Sequence, residues 1–124
     1  MSDGFNFNDN YGRRNWDLIM PRILVHGKQP QIRRLLSESL CFDGYQVESV
    51  VDAAMLWEHL DNGQPELVLL DAHKDGFDAM KLYFDIKEKH PDLSIIVYQC
   101  NNYGDVKRIK GAVTDELEKL TTNE

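Results

Sequence analysis

A doubly wound α/β domain built on a parallel sheet is the fold class these 124 residues predict, and three observations predict it. Short apolar runs recur along the chain at Ile23-Leu24-Val25, Leu67-Val68-Leu69-Leu70 and Ile95-Ile96-Val97. Continuous runs of this length, bounded by turn chemistry, fit strands covered on both faces. The segments between them carry apolar residues at helical spacing, and β and α units alternating at this length imply a parallel sheet with right-handed crossovers. A hydrophobic content of 42% in a chain of this length suits a single core.

From the N-terminus, residues 1–20 are rich in Asn, Asp and Gly, with Phe5, Phe7, Tyr11 and Trp16 scattered without period. This reads as a flexible arm, and its aromatic residues leave open a segment that docks on a partner or on the domain itself. The domain proper spans residues 21–124. Arg22-Ile23-Leu24-Val25-His26 is the first strand. Gln31 to Phe42 forms a helix with Ile32, Leu35, Leu36 and Leu40 on one face and Gly44 closing it. Tyr45 to Val51 is the second strand; Asp52 caps a helix that buries Ala53, Leu56, Trp57 and Leu60 and ends at Asn62-Gly63. The third strand ends at Asp71. After Gly76 a helix buries Phe77, Met80, Tyr83 and Ile86, and Pro91 breaks the chain before a fourth strand from Ile95 to Tyr98.

The tail admits two readings. Asp105 to Lys110 reads as a fifth strand, followed by a final helix capped near Thr114 with Leu117 and Leu120 behind it. The rival is a helix from Gly104 to Ala112, since Val106 and Ile109 also satisfy a three-residue spacing. The strand is the preferred reading.

Composition excludes several functions. A net charge of −7 argues against a nucleic-acid surface, because Arg13-Arg14 and Arg33-Arg34 are pairs rather than patches. No apolar run approaches the roughly 20 residues of a membrane span, and the N-terminus lacks a signal pattern, so a cytoplasmic protein is expected. Cys41 and Cys100 are expected as buried free thiols. His26 should pack at the end of the first strand, His59 on a helix edge, and His73 and His90 in loops; none has metal-ligand spacing. Lys87-Glu88-Lys89 is a solvated helix face. Isolated Gly104 and Gly111 form no nucleotide-binding loop, and Ser37 and Ser39 have no base in reach, so no enzyme is expected.

Asp71 ends the buried strand Glu66-Leu67-Val68-Leu69-Leu70, and ligands of open α/β sheets sit beyond the carboxyl ends of such strands. The stretch from Glu66 to Tyr98, with Asp71, Gly76, Asp78, the segment Lys87 to Leu93 and the strand after it, resembles the receiver domain of two-component response regulators. The resemblance implies a flavodoxin-like, receiver-type (βα)5 fold, here with the fourth helix shortened or missing, and makes Asp71 the position that accepts a phosphoryl group from a histidine kinase. It also implies a magnesium site formed by an acidic pair after the first strand, and Gly27 and Lys28 stand at those two positions. Neither can act as a hard oxygen ligand through its side chain. The hydroxyl residue the family places after its fourth strand is Gln99 here. The family's lysine of the fifth strand aligns with Lys110, and its aromatic switch position with Lys107.

The sequence therefore points to a degenerate receiver, a pseudo-receiver, acting as a protein-interaction module without phosphorylation and without a cofactor. A salt bridge from Lys28 or Lys110 to Asp71 would lock its pocket. One alternative is a phosphorylatable regulator using magnesium, with Asp75 as a ligand; another is the regulatory domain of a longer transcription regulator. The expected partner is a signalling protein, a histidine kinase among the candidates. A missing fourth helix leaves an apolar surface for the arm or a second subunit to cover, so a homodimer is left open.

Overall fold

The computed structural model describes residues 20–72 and 76–122. Four parallel strands, β1 (Arg22–His26), β2 (Gln46–Val50), β3 (Leu67–Asp71) and β4 (Ser94–Tyr98), form one sheet in the order β2-β1-β3-β4. Four helices connect or follow them: α1 (Pro30–Phe42), α2 (Ala53–Asn62), α3 (Gly76–Lys89) and α4 (Tyr103–Thr122). The doubly wound parallel sheet is the one the sequence predicts. The expected arm, His73 and Asp75 lie outside the described residues, as does the side chain of Phe77.

Strand alternation sorts the core into two layers. Ile23, Val25, Leu67 and Leu69 face α1 and α4, against Leu36, Leu40, Val106, Ile109, Val113 and Leu117. On the other face Leu24, Val68 and Leu70 meet Leu56 and Leu60 of α2 and Ile86 of α3. Successive residues of a strand point to opposite faces, so an unbroken apolar run is needed to serve both. Asp52 caps α2 as expected, its Oδ1 accepting from the Met55 N–H at 2.9 Å. Gly44, at φ +100°, follows the end of α1 in a conformation that favours glycine.

The tail corrects the sequence reading. Asp105–Lys110 is not a fifth strand but the start of α4, which runs on through Gly111 and Thr114 without a break. Val106, Ile109, Val113 and Leu117 recur at three- and four-residue steps and form one buried stripe, which a strand could not present to a single face. Asn102 starts the helix: its Oδ1 accepts from the Asp105 N–H at 3.2 Å, and Asp105 Oδ2 accepts from the Asn101 N–H at 2.7 Å. This is a reciprocal arrangement akin to a capping box, and with Arg108 it holds the Asp105 carboxyl below the usual range. Because α4 lies on the same face as α1, it takes the place of a final helix. Among the described residues, both the fourth helix and the fifth strand of a five-unit domain are replaced by residues 99–102. β4 is consequently an edge strand.

Three smaller expectations also change. Met80 is exposed because Ala79, Leu82, Tyr83 and Ile86 define the inner face of α3. Cys41 lies one position beyond the buried Leu40, a rotation of about 100° that carries it to solvent. Ala53, in the first turn of α2, stands past the sheet and lines a cleft instead of the core. Gly111 sits mid-helix with open space where a Cβ would project. Gly111→Ala is accordingly expected to stabilise the fold by about 0.5–1 kcal/mol, read as a higher urea midpoint.

Candidate functional site at the carboxyl end of the sheet

The carboxyl ends of β1 and β3 bring His26, Gly27, Lys28 and Asp71 together. Asp71 is half-buried, and the Lys28 backbone N–H donates to its Oδ2 at 3.1 Å. The Asp71 backbone N–H donates to His26 Nδ1 at 3.2 Å, so in the neutral ring the proton resides on Nε2. His26 is only 5% exposed, and this burial holds its pKa below the ordinary value of 6.5 despite the opposing pull of the Asp71 carboxylate.

Gly27 is enclosed on every side. Its N–H donates to the Val50 carbonyl at 3.1 Å, and its own carbonyl accepts from Arg33 Nη1 at 2.6 Å. A Cβ at this position would stand 2.8 Å from the Tyr98 hydroxyl and 3.3 Å from Arg33 Cβ. Tyr98 is held there because its hydroxyl donates to the His26 carbonyl at 2.8 Å, and burial raises its pKa far above the ordinary value. Glycine at position 27 thus reflects packing: the tyrosine hydroxyl fills the space a side chain would need. Sequence reading singled out Gly27 and Lys28 but missed Tyr98, which stands opposite Asp71 in the β3–β4 register.

A cleft of about 810 Å³ opens from Asp71 between α2 and α3, with Asp52, Trp57, Asp78 and Lys28 among its lining residues. Four carboxylates, Asp52, Asp71, Asp78 and Asp85, line it, yet no group of three or more His, Cys, Asp or Glu among the described residues is close enough to hold one metal ion. The donor set at the β1 end therefore does not fit a magnesium ion held in the manner the resemblance implies: Gly27 brings no ligand, Lys28 brings a cation, and the Tyr98 hydroxyl takes the space that a side chain at position 27 would need.

The remaining sequence-derived positions do not converge on Asp71. Lys110 pairs with Asp43 at 3.0 Å, at the far end of α1, so the lysine expected from a fifth strand is not brought to the site. Lys107 is exposed on α4. Gln99 is exposed, and its carbonyl accepts from Arg108 Nη2 at 3.3 Å. Cys100 is buried with its thiol pKa pushed up by desolvation, an inert position.

His26 makes the site a source of pH-dependent stability. An unfolded chain binds a proton near pH 6.5 that the folded chain resists, so stability is full above that value and falls as pH drops below it. The unfolding free energy, read from urea titrations, should begin to decline as pH falls below about 7.5, by at most about 1.4 kcal/mol per pH unit from this group. His26→Gln should flatten that decline, and an unchanged slope would remove His26 as its origin.

No family model matches the chain. Among curated proteins it is 34% identical over 80 residues to the DNA-binding transcriptional regulator NtrC of Bradyrhizobium sp. (strain RP501 Parasponia), covering 64% of this chain and 17% of that one. It is 32% identical over 76 residues to the response regulator MprA of Mycobacterium sp. (strain KMS), covering 61% of this chain and 33% of that one. The chain thus spans about a sixth to a third of the length of these relatives. Among solved structures, NtrX from Brucella abortus superposes with a TM-score of 0.73 at 20% identity over 84% of this chain and 28% of that one, a likeness of fold. The response regulator protein TrrA from Thermotoga maritima, solved in complex with Mg2+ and BeF, aligns at 30% identity with a TM-score of 0.60, over 68% of this chain and 73% of that one. No described helix is long and apolar enough to cross a membrane. With its parallel sheet, its aspartate at the end of β3 and a relative of this identity aligned over most of its length, the chain belongs to the receiver-domain family of response regulators.

Proposed function

We propose that this receiver is an atypical one, a cytoplasmic signalling module that works through protein contacts and does not take up a phosphoryl group on Asp71. The observation that carries this reading is the packing of Gly27 against the Tyr98 hydroxyl. Phosphoryl transfer brings a polyanion up to a carboxylate and relies on positioning plus neutralisation of charge by a metal ion. Here the place of the acidic pair is occupied by a buried glycine and an exposed lysine, and the Lys28 N–H already engages Asp71. The obstacle lies in the core as well as at the surface, because Gly27 is buried against the Tyr98 hydroxyl while Lys28 is exposed.

TrrA has also been solved in complex with the histidine kinase ThkA. A kinase of that kind is the natural partner class for this chain, which would bind it as a fixed shape instead of a switched one. A second reading, a phosphorylatable receiver, is favoured by Asp52 and Asp78 lining the same cleft as Asp71. Should the chain be part of a longer transcription regulator, as NtrC is, the same question applies to that protein. Incubation with magnesium and a small-molecule phosphodonor, followed by intact mass measurement, separates the readings. No phosphoryl adduct is expected; an adduct absent from Asp71→Asn would overturn the proposal.

A further inference from the structure

We propose that two copies of this chain pair through the free edges of β4, in antiparallel register, to form a two-fold dimer with one continuous sheet. Four strands from each copy would make eight. Among the described residues β4 pairs only with β3, so its other side carries unpaired backbone groups. The Tyr98 carbonyl accepts from the Ala72 N–H at 2.8 Å and therefore points toward β3. In a strand the N–H and C=O of one residue point the same way and alternate along the chain. Tyr98 and Ile96 thus address β3, while Ile95 and Val97 direct their N–H and C=O groups outward.

Ser94-Ile95-Ile96-Val97-Tyr98 contains no Lys, Glu, Asp or Pro, the residues by which natural edge strands are blunted. Four of its five residues are half-buried, whereas the inner strands β1 and β3 each have four buried residues, so side-chain cover as well as backbone pairing is incomplete at this edge.

The helix beside β4 extends the same surface. Asp78, Ala79, Lys81, Leu82 and Asp85 turn toward the cleft, which places Met80, Tyr83, Phe84 and Lys87 on the β4 side of α3. Lys87 Nζ confirms the direction by reaching the carbonyls of Pro91 and Leu93, at 3.3 and 2.6 Å, where β4 begins. Tyr83, Ile95 and Val97 are half-buried against the same core cluster, and Phe84, 63% exposed, meets the Tyr83 ring edge-on at 5.2 Å. Met80 is 41% exposed.

A second copy is the occupant this surface selects. A two-fold axis through Ile96 places Ile95 of one chain opposite Val97 of the other, twice over, so that the outward groups of both residues exchange hydrogen bonds. The same operation brings an apolar row against an identical row. The chain's charge of −7 does not oppose this, because none of the residues at the pairing row and its Met80-Tyr83-Phe84 flank is acidic.

The full-length chain is tested by sedimentation across a concentration series, together with residue-resolved amide exchange. The expected mass is twice 14.4 kDa and no more, since the two-fold contact closes on itself. Exchange at Ile95 and Val97 should slow as concentration rises, while Ile96, bonded to β3, stays constant. Phe84→Lys, on an exposed side chain, should weaken self-association at least tenfold. Val97→Pro, which removes an outward N–H, should do the same, and Val97→Thr, which keeps it, should not. A monomer at every concentration, whether residues 1–19 or another protein covers the edge, overturns the proposal. So does open-ended growth, or a dimer indifferent to Phe84→Lys and Val97→Pro. The result is independent of whether Asp71 is phosphorylated.

Discussion

Gly27→Asp combined with Lys28→Asp and Tyr98→Phe is expected to confer saturable magnesium binding at millimolar concentration, where the natural sequence is expected to show none. The first two changes restore the acidic pair that the family resemblance places after β1. They are not expected to suffice. An aspartate Cβ at position 27 would stand 2.8 Å from the Tyr98 hydroxyl, and that ring is locked by packing and by its bond to the His26 carbonyl. Overpacking of this kind costs about 1–3 kcal/mol. Removing the hydroxyl gives back the space, at the loss of one buried hydrogen bond worth about 1 kcal/mol. The double variant should therefore be less stable than the triple one and bind no magnesium, and calorimetric titration of both checks this. A folded triple variant without affinity would show that the missing carboxylates are not what silences the site.

Ile109→Ala is expected to cost roughly 2–5 kcal/mol of stability, the range for truncating a buried aliphatic side chain. Ile109 is fully enclosed between α1 and the sheet, in the same stripe as Val106, Val113 and Leu117. Lys107→Ala, two residues earlier, should change stability by less than about 0.5 kcal/mol, because that side chain is exposed. A strand from Asp105 to Lys110 would put residues 107 and 109 on one face and make their substitutions behave alike. Urea unfolding of the two variants thus separates the geometries, and equal effects would contradict the helix.

The sheet was legible because its signal is strong and local. Leu67-Val68-Leu69-Leu70 can serve two helical layers only as a strand covered on both faces, and Asp71 at its end follows from the same run. Asp52 as a cap was legible for a similar reason, a short acceptor placed before an apolar helical pattern. The tail misled because two apolar positions, 106 and 109, are too few within Asp105 to Lys110 to fix a period, and Gly111 invited a break. The signal that decides it was present: Asn102 followed three residues later by Asp105 is a helix start, and the spacing 106, 109, 113, 117 continues past the glycine. Tyr98 was illegible as part of the site. Its role depends on the distance between the ends of β1 and β4, residues 72 apart in sequence, and nothing in a strand of five apolar or aromatic positions marks one hydroxyl as filling the space beside Gly27.

Amide NMR titration with magnesium and then beryllofluoride, a mimic of an aspartyl phosphate, tests whether Asp71 is a phosphoacceptor, with Asp71→Asn as the control. No saturable shift is expected at Asp71, Lys28 or Gln99 at millimolar magnesium. Saturable shifts at these residues that vanish in Asp71→Asn would contradict the proposal and establish a working phosphoacceptor.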